Sequence, residues 1–300
     1  MVKVKLKQRD PEDLEKVKEV EIYLDGYIKA NLDLGVEQLH DDFDQVWFID
    51  GGEGEGKSDL GAQYAYYVSP EESRHTLLDR ICLTAEDFDE VILNAKKYDS
   101  IVLDESFGGM SATGSMARIN RVLQRRFTEI RAKNLFIFIV APSFMDIMRY
   151  FAIWRSKCLL HVYLSKERKR GFAAFYGEKK KRKLYILGKK NFYNYQVVAP
   201  QFTFRFIKQL HLVVDKELYD KKKGEVTTRT PQDEREEKMK IRKRVIVAFA
   251  IEKLWQKGIG LKTAQLSEIF NYSERYIQEI TKELKDRGVF PNKYINILTN

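Results

Sequence analysis

The chain has 300 residues, of which 44% are apolar and 12% aromatic, enough for one substantial core and a second, smaller one. A formal net charge of +9 favours polyanionic partners, and two cysteines (Cys82, Cys158) with four histidines outside any metal-ligand spacing exclude a disulfide framework and a structural zinc site. The amino terminus carries no hydrophobic signal core and the longest apolar run, 135–141, is too short to cross a bilayer, so the sequence predicts a soluble, cytoplasmic protein without membrane insertion.

After a charged start, residues 45–50 read as a buried strand and 58–67 as a helix, with a glycine cluster between them. A short strand near 81–84, an amphipathic stretch over 86–97 and a buried strand at 101–104 come next. Residues 118–133 read as a helix with a dense basic face, followed by the most hydrophobic strand, 135–140, and another near 159–164. Strands alternating with helices at this spacing predict an α/β fold in three layers, a parallel sheet with helices on both faces.

The pattern then changes. Residues 166–190 alternate basic clusters (Lys166, Arg168, Lys169, Arg170, then 179–183) with aromatic-rich segments, which predicts a β-hairpin with a very basic tip. Residues 221–244 are almost wholly charged and polar and contain Pro231, the composition of a linker or of an exposed helix start. Three helices are expected beyond it, over 245–255, 263–270 and 273–287, with a turn at Asn271 and Tyr272. The expected organisation is an α/β domain over 1–220, a linker over 221–244, and a small all-α helix-turn-helix domain, plain or winged, over 245–300.

The strongest chemical signal is Gly51-Gly52-Glu53-Gly54-Glu55-Gly56-Lys57-Ser58, which matches G-x-x-x-x-G-K-[ST] between a predicted strand and a predicted helix. Glycines let backbone N–H groups wrap phosphates, the helix start adds positive potential, Lys57 reaches the β- and γ-phosphates, and Ser58 is placed to ligate Mg²⁺. This loop makes the α/β fold a P-loop NTPase of the ASCE or RecA-like type. Glu53 and Glu55 are expected to point outward, because carboxylates facing the nucleotide would repel it.

The second signal is the strand 101–104 ending in Asp104 and Glu105. An Asp at a strand tip holds Mg²⁺ through water, and an adjacent Glu polarises the attacking water. The alternative is two solvated acids after a strand; the phosphate loop upstream favours catalysis. No Asn-Lys-x-Asp guanine signature occurs, so ATP with Mg²⁺ is the expected substrate and cofactor. Ser143, after the strand at 135–140, is a candidate sensor of the γ-phosphate, or else a cap of the next turn. Among Arg118, Arg121, Arg125, Arg126 and Arg131, the candidates for an arginine finger across a subunit interface are Arg126 and Arg131.

From Trp47 to Asp215 the order of elements resembles the zonula occludens toxin-like ATPases of the FtsK/HerA superclass. The resemblance rests on Gly51–Ser58 and Leu103–Ser106, and in texture on 125–131, 145–149, the basic hairpin and 213–219. It implies a five-stranded core with an additional strand, and homo-oligomeric, hexameric rings that thread DNA. The absence of a membrane segment favours translocation or packaging over extrusion through an envelope.

For DNA itself, the candidates are Lys180, Lys181 and Arg182 on the hairpin, as phosphate contacts, and Arg275, Gln278 and Lys282 on the last helix, which would lie in the major groove. Two functions remain open. One is an ATP-driven motor that translocates or packages double-stranded DNA; the other is an ATP-switched DNA-binding regulator or replication initiator of the AAA+ kind. A large terminase would need a nuclease domain of clustered acids, which the basic stretch 166–213 does not supply.

Overall fold

The central parallel strands of this chain are written in near-continuous apolar runs, and in the computed structural model each run lies in the interior. The structure describes residues 1–10, 13, 15–104, 112–228, 231–286 and 288, with 112–119, 227, 228, 231–238 and 241 described by backbone alone. It divides into two units, 1–228 and 229–300.

The first unit opens with β1 (Val2–Arg9) and β2 (Val17–Leu24), a separate antiparallel pair in full register from Val2 opposite Leu24 to Arg9 opposite Val17. Its alternation of Val and Leu with Lys is the period-2 signal of a half-buried strand, and Lys3–Glu21 and Lys5–Glu19 pair across it. This pair, and α1 (Gly26–His40) capped by the Asp25 side chain, fall in what the sequence reading treated only as a charged start.

The main sheet then follows in chain order: β3 (Gln45–Gly51), α2 (Lys57–Val68), β4 (Ile81–Cys82), α3 (Ala85–Asn94), β5 (Ser100–Asp104), α4 (Ala112–Ala132), β6 (Phe136–Val140), β7 (Cys158–Tyr163) and β8 (Phe172–Gly177). After α5 (Glu178–Lys190), β9 (Phe202–Arg205) adds the last strand, and α6 (Leu210–Val213) and α7 (Lys216–Thr228) end the unit. The seven strands lie in the order β4-β5-β6-β3-β7-β8-β9; the first five are parallel, and β8 and β9 join antiparallel. The fold is therefore α/β with a mostly parallel sheet.

Successive side chains go to opposite faces, and each face has its own core. Trp47, Ile49, Phe136, Phe138 and Val140 pack with α1 and α2, while Val46, Phe48, Ile137 and Ile139 pack with α3, α4 and α5. Around Trp47 the rings of Phe136, Phe138 and Phe175 stand edge-on at 5.3, 6.0 and 6.1 Å, geometry that adds about 1 kcal/mol per pair to the area buried. Among the described residues no helix is long and apolar enough to cross a membrane.

Two expectations need correcting here. The hairpin is β7–β8, with the first basic cluster in its connecting loop; its supposed second half is the helix α5. Lys181, Leu184, Tyr185 and Gly188 are its buried residues, the i, i+3, i+4, i+7 spacing of a helix face, and Glu178 in the first turn with Lys189 and Lys190 in the last suits the helix dipole. The stretch 221–244, expected as a linker or an exposed helix start, is helical where it is described: α7 runs to Thr228, and α8 (Pro231–Gln256) begins at 231 and continues beyond 244. Pro231 stands at the first position of α8, where a missing N–H costs nothing, and Lys, Arg, Glu and Gln supply helix propensity without an apolar period.

The second unit consists of α8, α9 (Thr263–Phe270) and α10 (Glu274–Asp286). They close on a small core of Val247, Ile251, Trp255, Leu266, Ile277, Ile280 and Leu284. Asn271, in the left-handed conformation with φ 54°, turns the chain between α9 and α10.

Candidate functional site

β3 and β5 are both neighbours of β6, with Ile49 and Asp104 each opposite Val140, so Gly51 and Asp104 leave the sheet at the same edge. This is the carboxyl edge of the parallel strands, where open α/β sheets bind ligands. Gly61 lets α2 lie close on the sheet: a Cβ there would come within 3.1 Å of Val140 and 3.4 Å of Ile49.

The loop that joins β3 to α2 requires glycine at its ends. Gly51 has φ 143° and a Cβ on it would lie 2.2 Å from the Val162 carbonyl oxygen; Gly56 has φ 106° and stands against the Phe206 ring. Gly56 is also the N-cap of α2, and no side chain caps that helix start. Lys57 is 6% exposed, and its Nζ donates to the carbonyls of Gly51 and Gly52 at 2.8 and 2.7 Å. Burial lowers its pKa, opposed by Asp104, Glu55, Asp50 and Glu53.

Glu53 is exposed, as expected, but Glu55 is not turned outward. Its Oε2 accepts the Gly52 N–H at 2.7 Å, so the carboxylate folds back onto the start of the loop. A free loop N–H in reach is a stronger attraction than an exposed position in water offers.

Asp104 is fully buried at the end of β5. The Tyr219 hydroxyl of α7 donates to its Oδ2 at 3.1 Å, with Ser58 close by. Burial, then the Asp104 charge, holds the Tyr219 hydroxyl well above the ordinary tyrosine range. Glu105 lies outside the described residues. Against the loop opens a cavity of about 630 Å³, with Gly54, Gly56, Lys57 and Ser58 on one side and Lys208, Lys216, Tyr219 and Lys223 on the other. The size is that of a small-molecule site. Burial lowers the Lys223 pKa, while Asp104 and Asp220 raise it. A hydroxyl and a carboxylate that both lie by the Tyr219 hydroxyl are hard oxygen donors of the kind Mg²⁺ takes, so Ser58 and Asp104 fit that ion.

Behind the loop, Asp50 is fully buried and accepts from the Phe144 N–H at 2.9 Å and from the Tyr195 hydroxyl, and its Oδ1 lies 2.8 Å from His161 Nδ1. The His161 and Tyr195 rings stack at 3.9 Å. Ser143 lies beside this network: its Oγ accepts from the Met145 N–H at 3.2 Å, capping the turn after β6, and it stands near Tyr195.

The other expected residues lie elsewhere. Arg126 spends its guanidinium on Asp89, at 2.7 and 3.0 Å, and on Glu129 at 3.3 Å, all in its own chain; a finger would have to give these up. Arg131 is exposed in the last turn of α4. Lys180, Lys181 and Arg182 are not a DNA-facing hairpin tip. Lys181 is fully buried, its Nζ donating to the carbonyls of Ala152 and Ile153 at 2.8 and 3.1 Å. Lys180 donates to the Pro200 carbonyl, and Arg182 to the Ile153 carbonyl and Glu178, with its guanidinium over the Trp154 ring at 4.8 Å. Arg170, in the β7–β8 loop, is instead close to the glycine loop: its Nη2 is 3.6 Å from where a Cβ on Gly54 would stand. Arg275, Gln278 and Lys282 are exposed on α10, away from its buried Ile277, Ile280 and Leu284.

Sequence reasoning missed Tyr219, Lys223, Arg170 and the Asp50 network. Tyr219 is 115 residues from Asp104, and no local spacing signals such a partnership.

No protein-family profile and no curated protein matches the chain. Among solved structures, it is similar to the N-terminal domain of zonular occludens toxin from Neisseria meningitidis, with a TM-score of 0.35 and 13% identity, over 59% of this chain and 98% of that one. The likeness is weak, and it gives the chain a structural neighbour without giving it a family.

Proposed function

We propose that the chain is a Mg²⁺-dependent, ATP-hydrolysing P-loop enzyme that moves double-stranded DNA as a ring oligomer. The observation that carries the nucleotide reading is the convergence of Lys57, Ser58 and Asp104 at one edge of a sheet in which β6 stands between β3 and β5. That inserted strand is the arrangement of the ASCE type.

On this reading the loop N–H groups and the start of α2 hold the phosphates, and Lys57 leaves the carbonyls of Gly51 and Gly52 to reach the β- and γ-oxygens. Ser58 and, through water, Asp104 hold Mg²⁺, which neutralises charge on those oxygens. Glu105 orients and deprotonates the attacking water. Arg170 and Lys223 are cations of the same chain near the phosphates, so Arg126 is not needed there. The support for DNA is the net charge of +9, the exposed basic cluster of the β7–β8 loop, and Arg275 and Lys282 exposed on α10, where Arg275 lies 3.7 Å from Glu279.

The ATP-switched regulator remains a second reading for one reason: α7 of the same chain forms a wall of the cavity, as a lid would. Steady-state ATP hydrolysis with and without double-stranded DNA, alongside mass in solution with a non-hydrolysable ATP analogue, separates the two. The motor predicts strong stimulation by DNA of any sequence and a ring-sized assembly; slow, DNA-indifferent turnover by a monomer or dimer indicates the switch. In the same assay Lys57→Ala and Glu105→Gln should each lower turnover by at least about a hundredfold, the second while still binding ATP, and full activity in either would sink the catalytic assignment.

A further inference from the structure

The hydroxyl of Tyr219 is bonded to one of the groups that would hold the divalent cation and lies near the other. It donates to Asp104 Oδ2 at 3.1 Å with Ser58 close by, and the ring behind it is 3% exposed, so it is seated in the site. α7, which carries it, is held at its start by Asp215, whose Oδ1 accepts the N–H groups of Glu217 and Leu218 at 2.9 and 3.1 Å. Further along, Lys222 Nζ donates to the carbonyls of Leu78 and Ile81 at 3.2 and 2.7 Å. Lys216 and Lys223 line the cavity beside Tyr219, with Lys223 Nζ 5.3 Å from the centre of its ring.

We propose that Tyr219 competes with the divalent cation for Asp104: its hydroxyl holds the carboxylate that would hold the metal, and entry of the metal–nucleotide displaces it and loosens α7. The argument is one of space and charge. Magnesium binds oxygen at about 2.0–2.1 Å and keeps much of its water. A tyrosyl hydroxyl already bonded to the same carboxylate competes with that shell for its oxygen. A hydroxyl offers one proton to Asp104, whereas the cation offers two charges, so the exchange favours the cation once phosphates supply its other ligands. Nucleotide without metal has no such competition with Tyr219. α7 is thus a helix whose seating reports whether the nucleotide has arrived with its cation. Lys216 and Lys223 travel with it, so its release also changes the charge facing the phosphates.

This inference rests on the nucleotide reading above, and the test separates the two. Binding of a fluorescent ATP analogue to the full chain and to Tyr219→Phe is measured with Mg²⁺ and with EDTA, and amide exchange over 216–228 is followed in both. In EDTA the two proteins should bind alike. Adding Mg²⁺ should tighten binding to Tyr219→Phe about tenfold more than to the wild type, the factor that corresponds to one hydrogen bond to a charged group. In the wild type, amides of 216–228 should exchange faster with Mg²⁺–nucleotide than with nucleotide in EDTA; this readout needs no variant. Equal gains from Mg²⁺ in both proteins, or α7 exchange that ignores the metal, overturns the role of Tyr219 and leaves the nucleotide site standing. No binding by either protein in either condition overturns the site, and this inference with it.

Discussion

Two buried lysines of the first unit each donate to a pair of backbone carbonyls, and their surroundings send them different ways. Lys57 is desolvated by burial, which lowers its pKa, and faces Asp104, Glu55, Asp50 and Glu53, whose charges partly offset that and favour the cation a phosphate needs. Lys181 is fully buried, and besides burial the neighbouring Arg182 pushes its pKa down, to about 8. The folded protein therefore binds fewer protons at Lys181 than the unfolded chain does between pH 8 and 10.5. Stability rises with pH across that window, because the unfolded state holds the extra proton. From pH 7.5 to 9.5 this one group should add roughly 2 kcal/mol to the unfolding free energy. Denaturant titrations at the two pH values, on the wild type and Lys181→Met, measure it as the difference in their pH slopes; identical slopes would mean that Lys181 titrates normally. In sequence Lys181 was one member of a basic run, like any surface lysine. Burial is decided by the helical period of α5, which places position 181 on the same face as Leu184 and Tyr185. The glycine loop was legible for the opposite reason: its chemistry is packed into eight consecutive residues, while Tyr219 and Lys223 reach the site only through tertiary folding.

At the level of elements, the strands of the central sheet were readable because both faces are covered and the runs are apolar throughout, as at 101–104 and 136–140. β1 and β2 show a plain alternation, but their exposed charges hid it. The segment 178–190 misled because clustered lysines interrupted by aromatic residues fit either a hairpin or a helix, and only the spacing of the four buried positions separates them. Moving α5 off the hairpin changes where DNA should bind. The exposed charges of the β7–β8 loop are Lys166, Arg168, Lys169 and Arg170, with Lys169 paired to Glu167; those of α10 include Arg275 and Lys282. Arg170 is set apart by its place beside Gly54. Replacing Lys166, Arg168 and Lys169 by alanine should therefore weaken binding to all DNA sequences alike and flatten the slope of log K against log salt by about 2–3, given about 0.9 per phosphate contact. Replacing Arg275 and Lys282 should flatten it by about 2 and, on a helix that reads base edges, narrow the gap between specific and non-specific sites. Fluorescence anisotropy across a salt series reads both, and slopes unchanged by either set would remove these surfaces from the DNA interface.

For the whole molecule, the boundary matters most. The sequence placed the end of the first domain at 220, because charge without apolar period reads as a linker; the structure places it at 228. The difference is the second half of α7, which carries Lys222, bonded to the Leu78 and Ile81 carbonyls, and Lys223 on the cavity wall. The cores of the two units share no residue: Val247 to Leu284 make one cluster, and everything buried around the sheet belongs to the others. A chain ending at Thr228 keeps every residue that lines the cavity, so it should melt cooperatively and bind nucleotide within about threefold of the full chain, a difference of less than 1 kcal/mol. A chain ending at Asp220 leaves Tyr219 on a frayed helix end and takes away the two hydrogen bonds of Lys222, at about 1 kcal/mol each. It should lose on the order of 2 kcal/mol of stability and, with Tyr219 no longer held on Asp104, gain more from Mg²⁺ in nucleotide binding, relative to EDTA, than the longer chain does. Thermal melts and nucleotide titrations of the two truncations test this directly. If the shorter chain matches the longer one in both, α7 is a connector after all, and the cation-sensing role of Tyr219 falls with it. If they differ as expected, the nucleotide site is complete within 1–228, and any dependence of ATP turnover on the second unit then measures what that unit adds.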